Sequence, residues 1–188
     1  MNNCQDACNP ERQFAPITIR SAFEHMAAFT QQDAYDAQID WWILRDGSIA
    51  PYGRREYLDE DVHWLRRQNY QVFAFDCGQW SSGEKMHADF KQTLASPEYY
   101  LDRLDDVAVP EVGGIVVAFR HFDKAAAPPT ASGRPEVEIV LDIMARASRH
   151  FLLTGRRFLT LVQTEDAQLR FDHLGLCIRL LESARVAG

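Results

Sequence analysis

Three short apolar runs constrain the fold more than any other feature of this chain. They read YQVFAFD at 70–76, IVVAFRHF at 115–122 and RFLTLVQ at 157–163. Runs that are apolar on both faces are typical of strands buried in a parallel sheet. Because the segments between them have helical patterns, right-handed crossovers are expected. The sequence therefore predicts an α/β fold with a small three-stranded, mostly parallel sheet flanked by helices.

The connecting segments contain two amphipathic helix patterns. SSGE at 81–84 matches a capping box of Ser81 and Glu84, and apolar residues then recur every fourth position to Leu94. A second, short helix is predicted at about 101–108. The longest helix pattern has apolar or small residues at i, i+3, i+4 and i+7 spacing, and Gly155 is placed to end it. Its members are Val137, Val140, Leu141, Met144, Ala147, Ser148 and Phe151.

The regions outside 70–163 are predicted as additions to this domain. Residues 1–16 are polar and predict a flexible arm, and 17–69 predict an extension with a helix at about 19–30. IDWWILRDGSIAPYG at 39–53 predicts a β-hairpin around an Asp-Gly turn. YLDEDVHWLRRQN at 57–69 predicts a helix that Asp59 caps and Asn69 ends. Residues 164–188 are expected to form a strand or helix that packs on the domain.

Composition narrows the classes of function. With 27 acidic and 20 basic side chains, the net charge is −7, which argues against direct binding of nucleic acid. The N-terminus does not resemble a signal peptide and no apolar run is long enough to span a bilayer, so a cytoplasmic location without membrane binding is expected. Cys4, Cys8, Cys77 and Cys177 lack the spacing of zinc or redox motifs. Free thiols are therefore expected, with no metal and no cofactor.

The histidines give little support to catalysis. They are dispersed along the chain, and no zinc-protease, nucleophile-elbow or phosphate-loop motif accompanies them. A triad of Cys77 or Cys177 with a histidine would have to be assembled in space, and no spacing favours it. A protein without catalytic residues is the prediction.

The stretch SPEYYLDRLDD at 96–106 combines adjacent tyrosines with clustered carboxylates. On a helix, Asp102, Asp105 and Asp106 would lie on neighbouring parts of one face, where their repulsion disfavours the helix. One interpretation is a solvated helix face beside a tyrosine that packs in the core. The other is a partner-binding face whose charge the aspartates supply.

Residues 70–163 resemble the barstar-related family of intracellular ribonuclease inhibitors. The resemblance is carried by MHADFKQTLASPEYY at 86–100, by the Leu-Asp pair that follows, and by the ending of IVVAFRHF. It implies a small parallel sheet and an acidic loop and helix whose carboxylates stand in for RNA phosphates in a basic active site. By this resemblance Tyr99 and Tyr100 match the family's tyrosine pair, Leu104 its helix leucine and Asp105 its first inhibitory aspartate.

We therefore predict a non-catalytic immunity or antitoxin-type protein whose partner is a ribonuclease or related secreted toxin. The predicted partner-binding residues are Tyr99, Tyr100, Asp102, Arg103, Leu104, Asp105 and Asp106. The alternative is a barstar-fold regulatory or interaction module that no longer inhibits a nuclease, since Arg146 and His150 stand where the inhibitors carry glutamates. The arginines at 146, 149, 156 and 157 have two interpretations, favourable placement at a helix C-terminus or a partner surface of mixed charge.

Overall fold

A computed structural model describes residues 27–94, 113–125, 133 and 135–166. Its helices are α1 (Gln31–Asp36), α2 (Ile39–Asp46), α3 (Arg55–Arg67), α4 (Gly83–Leu94) and α5 (Glu136–Leu153). Its strands are β1 (Ile49–Tyr52), β2 (Gln71–Asp76), β3 (Ile115–Arg120) and β4 (Phe158–Gln163). Single turns of 3₁₀-helix, Cys77–Gln79 and Phe122–Lys124, follow β2 and β3.

The four strands of the described residues form one parallel sheet in the order β1-β4-β3-β2. Phe75 pairs with Phe119 between β2 and β3, and Ala50 pairs with Leu161 between β1 and β4. The prediction of an α/β fold with a parallel sheet flanked by helices is confirmed. The predicted number of three strands is wrong, because β1 adds a fourth strand beside β4.

Helices cover both faces of the sheet. Along β3, Val117 and Phe119 contribute to the core on the side of α4 and α5, whereas Val116 and Ala118 contribute to the core beneath α2 and α3. This alternation follows from the two-residue period of a strand. Four aromatic rings with centroid separations between 4.5 and 6.0 Å fill the centre of the first core. They belong to Phe75, Trp80, Phe90 and Phe119.

The predicted β-hairpin at 39–53 is wrong. Residues Ile39–Asp46 form helix α2, and Ile49–Tyr52 pairs in parallel with β4 rather than back on its neighbour. Asp40, Ile43 and Leu44 are buried at helical spacing on one side of α2. Gly47, with a φ of 146°, ends this helix instead of making a hairpin turn. A short run of tryptophan, isoleucine and leucine fits a strand and a buried helix equally well, and here the sheet-facing contacts select the helix.

The helix boundaries differ from the predictions at two N-termini. Helix α3 begins at Arg55, so Asp59 lies inside the helix and does not cap it. In α4 the hydroxyl that accepts a first-turn N–H is that of Ser82 rather than Ser81. The predicted C-termini are confirmed, because Asn69 after α3 has a φ of 62° and Gly155 after α5 a φ of 74°.

Several predictions fall outside the described residues. These are the arm at 1–16, most of the helix at 19–30, the short helix at 101–108 and the C-terminal segment beyond Asp166. Of the predicted N-terminal helix the structure describes 27–30, which is not helical. The domain boundaries stay a prediction, although β1 of the predicted extension shares its sheet with the strands of 70–163. In the described part of the chain, no helix has both the length and the apolar character that crossing a membrane requires.

Candidate partner-binding site

All seven predicted partner-binding residues lie in 95–112, outside the described residues. The structure describes both ends of this segment, Leu94 at the end of α4 and Gly113 just before β3. In a parallel β-α-β unit the helix returns to the edge at which the next strand begins. Both ends therefore lie towards the edge where all four strands start, which we call the amino edge.

Two glycines fix the end of the segment that enters β3. Gly113 has a φ of 96°, and any Cβ placed there would collide with the backbone of Gln68 and Asn69. Gly114 packs against the backbone of Arg157, and its carbonyl accepts a hydrogen bond of 2.9 Å from the N–H of Gln71. The chain is thus held tightly between the starts of β2 and β4 at the point where it enters the sheet.

A buried polar network holds the amino edge together. Asp40 of α2, which is 3% exposed, accepts hydrogen bonds from the Tyr70 hydroxyl at 2.6 Å and from the Arg157 Nη1 at 2.9 Å. Burial, together with the neighbouring carboxylate of Asp40, raises the pKa of Tyr70 far above its usual value. The phenol therefore remains a hydrogen-bond donor at any physiological pH.

Arg157 also connects the chain before α1 to the sheet. Its Nε donates to the carbonyl of Ala28 at 2.7 Å, and its guanidinium lies 4.1 Å from the ring centroid of Phe29. Its Nη2 is 3.4 Å from Asp33, which also closes a capping box with Thr30. Burial opposes the charged form of Asp33, but the hydrogen bonds from Thr30 and the charge of Arg157 lower its pKa overall. Arg157 thus joins α1, α2 and β4.

Sequence reasoning missed this network. It interpreted Arg157 as part of a basic concentration at the end of α5 and did not single out Asp33 or Asp40. Arg157 and Asp40 are 117 positions apart, and no local pattern signals their contact. The one local signal was Asp40 within the apolar run IDWWIL. A carboxylate in such a run is expected to be buried, and a buried charge requires a partner.

Three basic residues in the second half of α5 lie in an exposed stripe on that helix. Arg146, Arg149 and His150 are exposed, and so is Leu153, at 76%. We call these four residues the α5 stripe. Arg156 is instead half-buried, with its guanidinium 4.2 Å from the ring centroid of Phe151. The four arginines at 146, 149, 156 and 157 therefore divide into two that face solvent and two that pack on the protein.

At the opposite, carboxyl edge a histidine and an aspartate join β2 to β3. His121, which has a φ of 51°, places its Nδ1 2.8 Å from the Asp76 Oδ1, and its backbone N–H donates to the Gln163 Oε1 at 2.8 Å. The hydrogen bond from His121 lowers the pKa of Asp76. These contacts connect the last residues of β2 and β4 to the residue that follows β3.

This pair does not assemble a nucleophile with Cys77. The Cys77 side chain is fully buried, and burial followed by the charges of Asp76 and Asp89 raises its pKa well above the usual value. A thiol in such surroundings is neither ionised nor accessible, so it cannot serve as a nucleophile. Cys177 lies outside the described residues. Among the described residues, no three His, Cys, Asp or Glu side chains are grouped so that they could hold a metal ion.

Comparison with known proteins gives a structural similarity alone. No protein-family model and no curated protein matches the sequence. Nine chains of solved structures match the fold. One belongs to a structure described as Drosophila ORC bound to AT-rich DNA and Cdc6, with 14% sequence identity and a TM-score of 0.45. The match covers 86% of this chain and 56% of the length of that chain. A similarity of this extent assigns no function.

Proposed function

We propose that this protein is a non-catalytic, protein-binding inhibitor of the immunity or antitoxin type. Its target is a ribonuclease or related toxin, whose basic active site it occludes with residues 96–111, the acidic segment. One observation carries the proposal: the tyrosine pair and aspartate cluster of SPEYYLDRLDD lie in the connection between α4 and β3. That is the connection in which the barstar resemblance implies the inhibitory loop and helix.

The charge of the acidic segment suits a basic target. It contains the carboxylates Glu98, Asp102, Asp105, Asp106 and Glu111, and a single basic side chain, Arg103. A surface of this kind accelerates encounter with a positively charged partner and disfavours neutral or acidic ones. Within it, Tyr99 and Tyr100 are the candidates for anchors, since large aromatic side chains contribute most to many protein interfaces.

The architecture of the amino edge supports the proposal physically. The acidic segment begins beyond the buried Leu94 and returns at the tightly packed Gly113 and Gly114. A binding segment whose ends are held by a packed core loses less conformational entropy when it binds than a free chain does. We place the protein in the cytoplasm, where it would act without a cofactor, without a membrane and without direct contact to nucleic acid.

The exposed residues of α5 favour a second candidate function. Arg146 and His150 face solvent at positions where the inhibitors carry glutamates, and Arg149 lies beside them. These side chains would repel a basic nuclease rather than attract it. The second candidate is therefore a regulatory or interaction module with the same fold that no longer inhibits a nuclease.

Partner capture from a lysate of the native organism distinguishes the two functions. The bait is the full chain, used as wild type and as the Asp102/Asp105/Asp106→Ala variant. The matched control is Asp36/Glu56/Glu84→Ala, which also removes three exposed carboxylates, but from α1, α3 and α4. Inhibition predicts a nuclease or toxin that is retained by wild type and control and lost by the first variant. Retention of the same proteins by all three baits would contradict it.

A further inference from the structure

The four residues of the α5 stripe lie on one side of the helix. Arg146, Arg149, His150 and Leu153 have the spacing i, i+3, i+4 and i+7, which places them in one row along two helical turns. All four are exposed, whereas the opposite side of α5 is buried against the sheet. The row therefore faces away from the core along its whole length.

The α5 stripe is basic although the protein as a whole is acidic. The carboxylates of α5, Glu136, Glu138 and Asp142, all lie in the first half of the helix. Arg146 and Arg149 form no ion pair with the described residues. By contrast, the exposed side of α3 mixes signs, with Glu56 and Glu60 besides its arginines. In the described part of the chain, the α5 stripe thus carries one sign of charge, opposite to the net charge of −7 of the whole sequence.

Helix-end electrostatics do not account for the whole stripe. The helix dipole favours cations only in the last turn, and Arg146 lies two turns before Leu153, where α5 ends. The dipole also does not explain the exposed position of Leu153, because an uncharged leucine side chain is not stabilised by the helix dipole. Leu153 adds exposed apolar surface at the end of the row, beside arginine, a residue type that is enriched in protein interfaces.

We propose that the α5 stripe is a docking surface for an acidic protein segment that carries an apolar side chain next to its carboxylates. The guanidinium groups of Arg146 and Arg149 suit carboxylates, with which arginine forms paired hydrogen bonds. The apolar side chain of the segment covers Leu153 and removes its surface from water. This surface and its partner are independent of the function of the acidic segment at 96–111.

The test is fluorescence anisotropy with a labelled peptide of sequence EELEELEE, titrated with the full-length protein near 0.1 M salt. Exposed ion pairs each change a dissociation constant about two- to fivefold, so the Arg146→Glu/Arg149→Glu variant should bind about tenfold or more weakly. Leu153→Ser should weaken binding about three- to tenfold without a change of charge. Circular dichroism of each variant checks that the fold is intact.

The matched control is Arg66→Glu/Arg67→Glu in the last turn of α3, which makes the same change of charge in the opposite helical layer. We expect this variant to bind the peptide within twofold of wild type. The proposal is overturned if wild type shows no binding, if the α5 variant binds as wild type does, or if the α3 variant loses as much. Tighter binding of a single-stranded RNA of equal charge would also overturn it in favour of a nucleic-acid surface.

Discussion

Substitution of Asp40 by alanine should destabilise the protein more than any surface charge change. The carboxylate is 3% exposed and accepts hydrogen bonds from Tyr70, from Arg157 and from the N–H of Trp41. Removing it leaves a buried phenol without its acceptor and a guanidinium without its closest carboxylate. The loss of one partner from such a pair costs more than the pair contributes, because the remaining group stays desolvated.

The structure sets the size of the effect. Breaking a fully buried pair costs about 3–5 kcal/mol. The Arg157 side chain is 20% exposed and keeps its contacts with Asp33 and the carbonyl of Ala28, so part of its charge remains solvated and paired. We therefore expect the lower limit, about 3 kcal/mol, for Asp40→Ala. Asp40→Asn keeps an acceptor for Tyr70 and should cost about 1–2 kcal/mol.

Urea unfolding of the full chain measures this effect. The free energy of unfolding should fall by the stated amounts at an unchanged dependence on urea concentration. The control is Arg55→Ala, which removes an exposed ion pair of 3.4 Å to Asp59 and should cost less than about 1 kcal/mol. If Asp40→Ala unfolds within about 1 kcal/mol of wild type, the amino-edge network does not stabilise the fold as we argue.

Three further predictions test the core and the two edges of the sheet. Phe90→Ala removes a fully buried ring that lies 4.5 Å from the ring of Phe75, and should lower the unfolding free energy by about 3–5 kcal/mol in urea titrations. Gly114→Ala places a Cβ against the neighbouring backbone and should cost about 1–3 kcal/mol, and an unchanged thermal midpoint would contradict this packing. Because the pKa of Asp76 is lowered in the folded state, its carboxylate stabilises the fold above the unfolded pKa, and this contribution disappears as the pH falls through the folded value. The difference in stability between wild type and Asp76→Asn should therefore be largest near pH 6 and shrink below about pH 4, and a constant difference to about pH 3 would refute the assignment.

The parts of the fold that the sequence predicted are those in which local pattern and burial agree. The strands at 115–122 and 157–163 were recognisable because apolar side chains are needed on both faces of a covered sheet. The strand at 70–76 was predicted from the same apolar pattern, although β2 lies at the edge of the sheet and exposes Gln71 and Ala74. Helix α5 was recognisable because its buried side follows the helical period over 18 residues. The end of this helix was predictable because many helices are closed by a glycine in the left-handed conformation, as Gly155 is here.

The errors arose where contacts distant in sequence decide the structure. Ile39–Asp46 is a helix because Ile43 and Leu44 pack beneath the sheet, a contact that the local composition does not encode. The partner of β1 is β4, more than 100 positions later, so the local pattern predicted this strand as part of a hairpin and not as the fourth strand of the parallel sheet. The amino-edge network has the same character, since its charges are paired only after the chain has folded.

The central claim is that the acidic segment binds a basic active site through its charge. The most direct measurement is stopped-flow association with the captured nuclease or toxin over a range of salt concentrations, for wild type and for Asp102/Asp105/Asp106→Asn. We predict fast association for wild type that slows steeply as salt rises, and slower association with a flatter salt dependence for the variant. Equal rates with the same salt dependence for both proteins would contradict the account.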